Sequence, residues 1–488
     1  MKTESAATSM KLMAYGIFAV LLLASGFLFP PPVRGADNAV RVLTLEEALA
    51  TASGKNRDIR KVIEFRRQVE GRYVDERAAA LPQIVITSSF SRNRDESQKA
   101  FGGGFIPLEQ ETSSAMAGIS QPLFSWGQIS AGIRAARIGF AAADDRLRST
   151  RQSAARDVTA SFHDILLARE LHVIARQNLE QKNRHLDETR KRNAAGTATD
   201  YDVLAAEVAA ENARPDVIRT ENLVRTSRER LRFLLAVEGQ EVDAVGTLIS
   251  AVDAYPAYEE TFGTAVKNRP ELSELRNRIA ISRELITIAN SGDKPRLDLK
   301  GGIGWRALDV RTSDADGGAW SAGVYLSYPI FDGLRTRGKV AQAKSETASL
   351  RIDEAKLLDA MALETSDAVN AVREAGEIVK ALSGTVSQAE RLLALAEKGF
   401  EYGVKTRLDV EDAVLNLVQA KGSLARARRD YLVSRVNLEF AKGTLGEDGP
   451  KAQATAKPWQ PAESIPGIFM EILQFQPRLN REEAPPGE

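Results

Sequence analysis

The 488-residue chain contains no cysteine. That excludes disulfides, thiolate metal sites, a cysteine nucleophile and a lipidated cysteine at a mature N-terminus. Aromatic residues are scarce at 6%, a bias of long helices and coiled coils rather than of sandwiches or α/β enzymes. Formal net charge is zero, so no basic excess invites nucleic acid. The only histidines are His163, His172 and His185, nine and thirteen residues apart. This is no metal-ligand spacing, and it reads as solvated helix positions. No P-loop, nucleotide fingerprint or nucleophile elbow is present. The plentiful Asp and Glu are interleaved with Lys and Arg, as on solvated helix faces. Neither an enzyme active site nor a cofactor or metal is expected.

What is present begins with Lys2 and Lys11, an uncharged run from Leu12 to Phe29, and then Pro30, Pro31 and Pro32. A basic start, an apolar stretch and small residues beyond it describe a signal peptide over residues 1–35, cleaved near Gly35 or Ala36. The alternative is an uncleaved anchor, because a run of this length could just span a bilayer. No later stretch is long and apolar enough for a transmembrane helix. Any membrane the exported chain crosses must therefore be crossed by strands.

The chain also repeats itself. Pro122 and Phe124 recur as Pro329 and Phe331, Gly196 and Thr199 as Gly403 and Thr406, Asp202 as Asp409, and Leu231 as Leu438, all at an offset of 207. Such self-similarity means one structural unit used twice. The expected units are 36–245 and 246–446, followed by a Pro-rich polar tail over 447–488.

Each unit reads helix, strand, strand, helix, helix. In the first, 44–80 is helix-like, 83–92 and 113–124 are strand-like, and 127–193 runs as one periodic helix answered by 199–236. The second gives helix 259–291, strands 297–305 and 319–330, and helices 333–401 and 406–444. At ~1.5 Å per residue the long helices reach about 100 Å. The return helices alternate large and small residues every seven, as in Val410, Leu417, Leu424 and Tyr431 against Ala413, Ala420 and Ala427, which allows close packing. Pro215 lacks an amide donor and should bend its rod.

The strands alternate as well. Trp320, Ala322, Val324 and Leu326 oppose Ser321, Gly323, Tyr325 and Ser327. Segments of about ten alternating residues suit a membrane barrel, although an ordinary soluble hairpin has the same pattern. Four strands cannot close such a barrel. Two chains would supply eight strands with a filled interior, and three would supply twelve with an open lumen. The expected fold class is α+β, mostly α: a duplicated unit forming a long antiparallel helical barrel plus four strands of an oligomeric β-barrel.

The chain resembles the TolC family of outer-membrane efflux proteins over roughly residues 43–446. The resemblance rests on Thr44-Leu45-Glu46-Glu47-Ala48-Leu49, on Asn268-Arg269-Pro270-Glu271-Leu272, and on the strand-to-helix joins Gln121-Pro122-Leu123-Phe124 and Tyr328-Pro329-Ile330-Phe331-Asp332-Gly333. The tip Tyr402-Gly403-Val404-Lys405-Thr406-Arg407-Leu408-Asp409-Val410 matches too. It implies a homotrimer in outer-membrane lipid that docks to a periplasmic adaptor and an inner-membrane pump.

The resemblance also places Asp409 and Asp412 at a constriction, where threefold symmetry would make two carboxylate rings. Thr406 and Asp409 also form a capping box, as do Thr199 and Asp202, so those aspartates have a structural reason to exist without a gate. Asp412 has none, and its counterpart is Ala205. Lys405 and Asp202 occupy the positions of a closing latch, with Phe400 where the family has a tyrosine. Gly196 and Gly403, with Thr199 and Thr406, belong to the tip turns and, by resemblance, to adaptor docking. The competing readings are a periplasmic coiled-coil adaptor or a soluble scaffold; an adaptor usually carries one hairpin rather than two.

Overall fold

The computed structural model describes residues 40–94, 109–249, 252, 255–310 and 313–446. The expected signal peptide and tail lie outside these residues. In chain order the elements are β1 Arg41–Leu43, α1 Leu45–Lys55, α2 Arg57–Ala78, β2 Gln83–Arg94, β3 Glu109–Phe124, α3 Gln128–Ala194, α4 Asp200–Leu235 and β4 Val242–Ala244. The second half supplies α5 Tyr258–Asn268, α6 Pro270–Asn290, β5 Arg296–Val310, β6 Ser313–Ser327, α7 Arg335–Glu401 and α8 Arg407–Lys442. Helices α3 and α7 are each 67 residues long, and α4 and α8 are each 36. The α+β, mostly helical expectation holds.

Two expected helices are each broken in two. Residues 44–80 divide at Asn56, whose Oδ1 accepts the amides of Asp58 and Ile59 while its Nδ2 donates to the Leu234 carbonyl at 2.9 Å. Residues 259–291 divide at Arg269, because a residue before proline is pushed out of the helical region. Arg269 sits at φ −66 and ψ 120, and Pro270 opens α6. Helix α4 runs through Pro215 without a break.

Helices α2 and α4 both pack along α3, and α6 and α8 both pack along α7. Helix α3 also packs against α6 and α8, so it lies inside the wall while α7 lies at its edge. Around mid-height the wall thickens. Phe162, Ile165, Leu231 and Leu235 form a core with Leu43, Val242 and Leu248, roofed by the small parallel sheet β1–β4. In the second half, Val369, Val372, Leu424, Tyr431 and Leu438 do the same. The heptad positions are buried as expected, Ala206, Ala210 and Ala213 in α4 and Ala413, Ala420 and Ala427 in α8. His163 departs from its expectation. It is buried, and its Nδ1 hydrogen-bonds to the Thr159 carbonyl at 2.8 Å.

The large sheet has the order β2-β3-β5-β6, antiparallel throughout, so the halves meet at β3–β5. Directly paired residues share a face. Ile86, Ala117, Ile303 and Trp320 line up across all four strands, and Ile84, Ile119, Gly301 and Ala322 form the next row. Leu299 and Val324 continue this apolar face, whose large side chains are exposed. At the joins to the long helices, two consecutive residues take left-handed backbone, Trp126–Gly127 and Gly333–Leu334. The glycine supplies only one of each pair, so a bulky residue bears the other at a cost of about 1 kcal/mol.

Candidate gate at the helical hairpin tips

Both hairpins turn in the same way. Helix α3 ends in a left-handed Gly196, φ +73, where the Thr197 amide donates to the Arg192 carbonyl at 2.8 Å. Helix α7 ends at Gly403, φ +71, with Val404 donating to the Gly399 carbonyl at 2.8 Å. A glycine here closes the last turn without the left-handed penalty. Thr199 then caps α4 and Thr406 caps α8. Each threonine hydroxyl accepts the amide of an aspartate three residues on, Asp202 or Asp409, at 3.2 Å.

The aspartates answer reciprocally. Asp202 Oδ2 accepts the Thr199 amide at 2.8 Å and its hydroxyl at 2.7 Å. Asp409 Oδ2 accepts from Thr406 in the same way, at 2.8 Å each. Donation by the threonine amide, and then by its hydroxyl, holds both carboxyls below the usual carboxylate range. The tips differ at the other oxygen. Lys405 Nζ lies 3.4 Å from Asp409 Oδ1, whereas Asp202 Oδ1 has no hydrogen-bond partner among the described residues.

Asp412 sits one turn beyond Asp409 on the same face. It is exposed and unpaired among the described residues. The residues proposed as a latch are not brought together within one protomer, since Lys405 is held by Asp409. Phe400 is half-buried beside Ala396, Val410 and Ala413, and the Arg407 guanidinium lies 5.7 Å from its ring centre.

Two features escaped sequence reasoning. A side chain at Gly399 would place its Cβ 2.6 Å from Lys405 Cγ, so the missing side chain lets the lysine fold back toward Asp409. Arg407 and Glu411 pair along α8 at 3.6 Å, and His185 of α3 approaches Glu411 at 3.9 Å, linking the two hairpins. The i,i+4 spacing of Arg407 and Glu411 was a usable signal; the histidine contact, 226 residues away, was not.

A short amphipathic sheet runs on into paired helical hairpins of ~100 Å, the build of an elongated channel subunit. A family model described as "Outer membrane efflux protein" matches residues 48–237 and 262–444, and the chain belongs to that family. It is an outer-membrane channel of the kind used by efflux or secretion systems, and it extends into the periplasm. The chain is 27% identical to outer membrane protein TolC of Vibrio cholerae serotype O1, over 76% of this chain and 84% of that relative. It is 25% identical to the alkaline protease secretion protein AprF of Pseudomonas aeruginosa, over 76% of this chain and 78% of that one. Among solved structures, the Campylobacter jejuni CmeC outer membrane channel shares the fold with a TM-score of 0.72 and 16% identity, covering 82% and 85% of the two chains.

Proposed function

We propose that three copies of this chain close edge to edge into one tube: a twelve-stranded barrel continued by a helical duct that passively conducts cargo. The observation that carries this is the asymmetry of the wall's two edges. One edge presents β2, α2 and α4, the other β6 and α7. An internal junction, β3 with β5 and α3 with α6 and α8, joins the two halves. Because the halves are copies, the free edges have the shapes to make that junction again between chains. Head-to-tail contacts that close make rings, and twelve strands leave an open lumen where eight would be filled.

At the narrow end, Asp409 and Asp412 would stand as carboxylate rings that retain cations, and Lys405 with Asp202 of a neighbouring copy would latch the closed state. The unpaired Asp202 Oδ1 supports that latch. The tip turns at Gly196 and Gly403 are the docking points for a periplasmic adaptor, and energy comes from an inner-membrane pump. Relatives named for protease secretion and toluene efflux suggest that the pump selects the cargo.

The trimer has a direct test. Within the chain, Ala117 of β3 faces Ile303 of β5. Strands β5 and β2 begin 213 residues apart, at Arg296 and Gln83. Ala117 plus 207 is Val324, and Ile303 less 213 is Phe90. Val324 should therefore face the partner subunit's Phe90, at a Cα distance of about 4.5–5.5 Å that a disulfide spans. In this cysteine-free chain, Val324→Cys with Phe90→Cys should give disulfide-linked dimers and trimers, and nothing larger, in outer-membrane fractions. Monomers alone would refute the reading.

A further inference from the structure

The register of the sheet defines two faces, and the apolar one carries its charges only toward the hairpin-loop end, from Arg92, Glu111, Asp309 and Asp316 outward. The apolar face meets lipid in a membrane barrel, so the opposite face lines the lumen. On that face the four strands carry only four charged side chains, Arg296, Asp298, Lys300 and Arg306, all on β5. Arg296 Nε donates to both Asp298 oxygens, at 3.0 and 3.1 Å, and cancels that carboxylate. Lys300 and Arg306 remain. Both are exposed, and neither has an ion-pair partner among the described residues.

Their neighbours leave them uncovered. Lys300 lies between Ser120 on β3 and Gly323 on β6; Arg306 lies between Ser114 and Gly317. Directly opposed side chains decide most of a strand residue's surroundings, and here they are hydroxyls and hydrogens. The Lys300 ammonium stands 5.5 Å from the Tyr325 ring centre, a contact that orients the charge without neutralising it. Six residues separate the two cations, ~20 Å along the strand. In three copies this makes two cationic rings in the barrel, opposite in sign to the carboxylates at the far end of the duct.

We propose that Lys300 and Arg306 form an anion-attracting stretch of the outer-membrane lumen, which favours exit of cargo bearing carboxylate, phosphate or sulfonate groups. Rings of Lys and Arg are how pores of other folds select anions. The inference rests on the trimeric duct reading. Passing close to these side chains, a permeant lies within a Debye length of roughly 8 Å and feels their charge.

The test uses the full-length chain in planar bilayers under a KCl gradient. Relative to wild type, Lys300→Gln with Arg306→Gln should raise the K⁺ to Cl⁻ permeability ratio about threefold by loss of the lumen field. Lys300→Glu with Arg306→Glu should raise it further. Pyrophosphate added on the barrel side should reduce wild-type current and lose that effect in the Gln variant, whereas Asp412→Ala should keep it. Heat-modifiable trimers on gels establish that each variant assembles, and the single Gln variants serve if the pair does not. An unchanged ratio and an unchanged pyrophosphate effect in conducting trimers overturn the inference and leave the duct standing. A wild type with neither trimers nor conductance overturns both.

Discussion

The two halves of the wall share a backbone plan, yet they lock their mid-height joints with buried charge of opposite sign. In the first half the centre is an anion: Asp243 on β4, nearly fully buried, receives Arg169 from α3 and Arg228 from α4. In the second it is a cation: Arg269 reaches Glu364 on α7 and Glu271 on α6, with its guanidinium 6.0 Å from the Phe440 ring centre. The two centres are not equivalent positions: the counterpart of Arg269 is Arg57, whose pair with Glu238 is exposed. Duplication kept the backbone plan and left each copy to place its buried charge where its own sequence allowed.

The largest expected effect separates these joints. Asp243→Ala strands two partly buried guanidiniums side by side and should cost about 3 kcal/mol, the scale for breaking a buried pair. Arg269→Ala should cost less, about 1–2 kcal/mol, because Glu271 and Glu364 are 30% and 45% exposed and rehydrate readily. Urea unfolding in detergent measures both. Equal losses would mean that the sign and burial of the central group do not set the strength of the joint.

The tips offer the second contrast. Asp412 has Ala205 as its counterpart, so only the second repeat carries the extra carboxylate. Asp412→Ala should raise single-channel conductance severalfold and weaken block by hexaamminecobalt, with no change in unfolding midpoint. Ala205→Asp should strengthen that block. Asp409→Ala differs in also removing a cap, which costs about 1 kcal/mol. If Asp412→Ala conducts and blocks as wild type does, the ring is absent.

Local signals made much of the fold legible. The fixed offset revealed two equal hairpins, and Thr199 with Asp202, like Thr406 with Asp409, announced the helix starts because a capping box is written within four residues. The break at Arg269 was also written, in Pro270. The break at Asn56 was not, because its side chain serves Leu234, 178 residues away. Strands β1 and β4 are three residues each and pair across the whole first half, too short for any periodicity to mark. At the hairpin tips the caps were readable, but the turn of Lys405 back over Gly399 onto Asp409 depends on the loop's shape.

A smaller contrast lies in the wall itself. Val158 in α3 and Thr365 in α7 are corresponding positions, each fully buried. The Thr365 hydroxyl has no hydrogen-bond partner among the described residues. Thr365→Val copies the first repeat and removes that unmet donor, so it should stabilise the chain by about 1 kcal/mol. A destabilised variant would show that the hydroxyl has a partner in the assembled tube.

The smallest effect tests why the two long helices differ at all. His163 lies in α3, which is packed on both flanks, while its counterpart Asn370 lies exposed on α7 at the wall's edge. Burial, more than the nearby Arg429, lowers the His163 pKa; the hydrogen bond to Thr159 and the neighbouring Asp164 oppose the shift only in part. The folded state therefore favours neutral imidazole. The unfolded chain takes up a proton near its ordinary pKa of about 6.5, and proton uptake by the unfolded state alone destabilises the fold. This stability is fully present above pH ~6.5 and is lost as pH falls from there toward the lower folded value. His163→Asn should lessen the fall of the unfolding midpoint as pH drops below ~6.5, whereas Asn370→His, on an exposed face, should leave the wild-type slope unaltered. If Asn370→His steepens the slope as well, that face of α7 is covered in the assembled tube, and the two helices are more alike there than one protomer suggests.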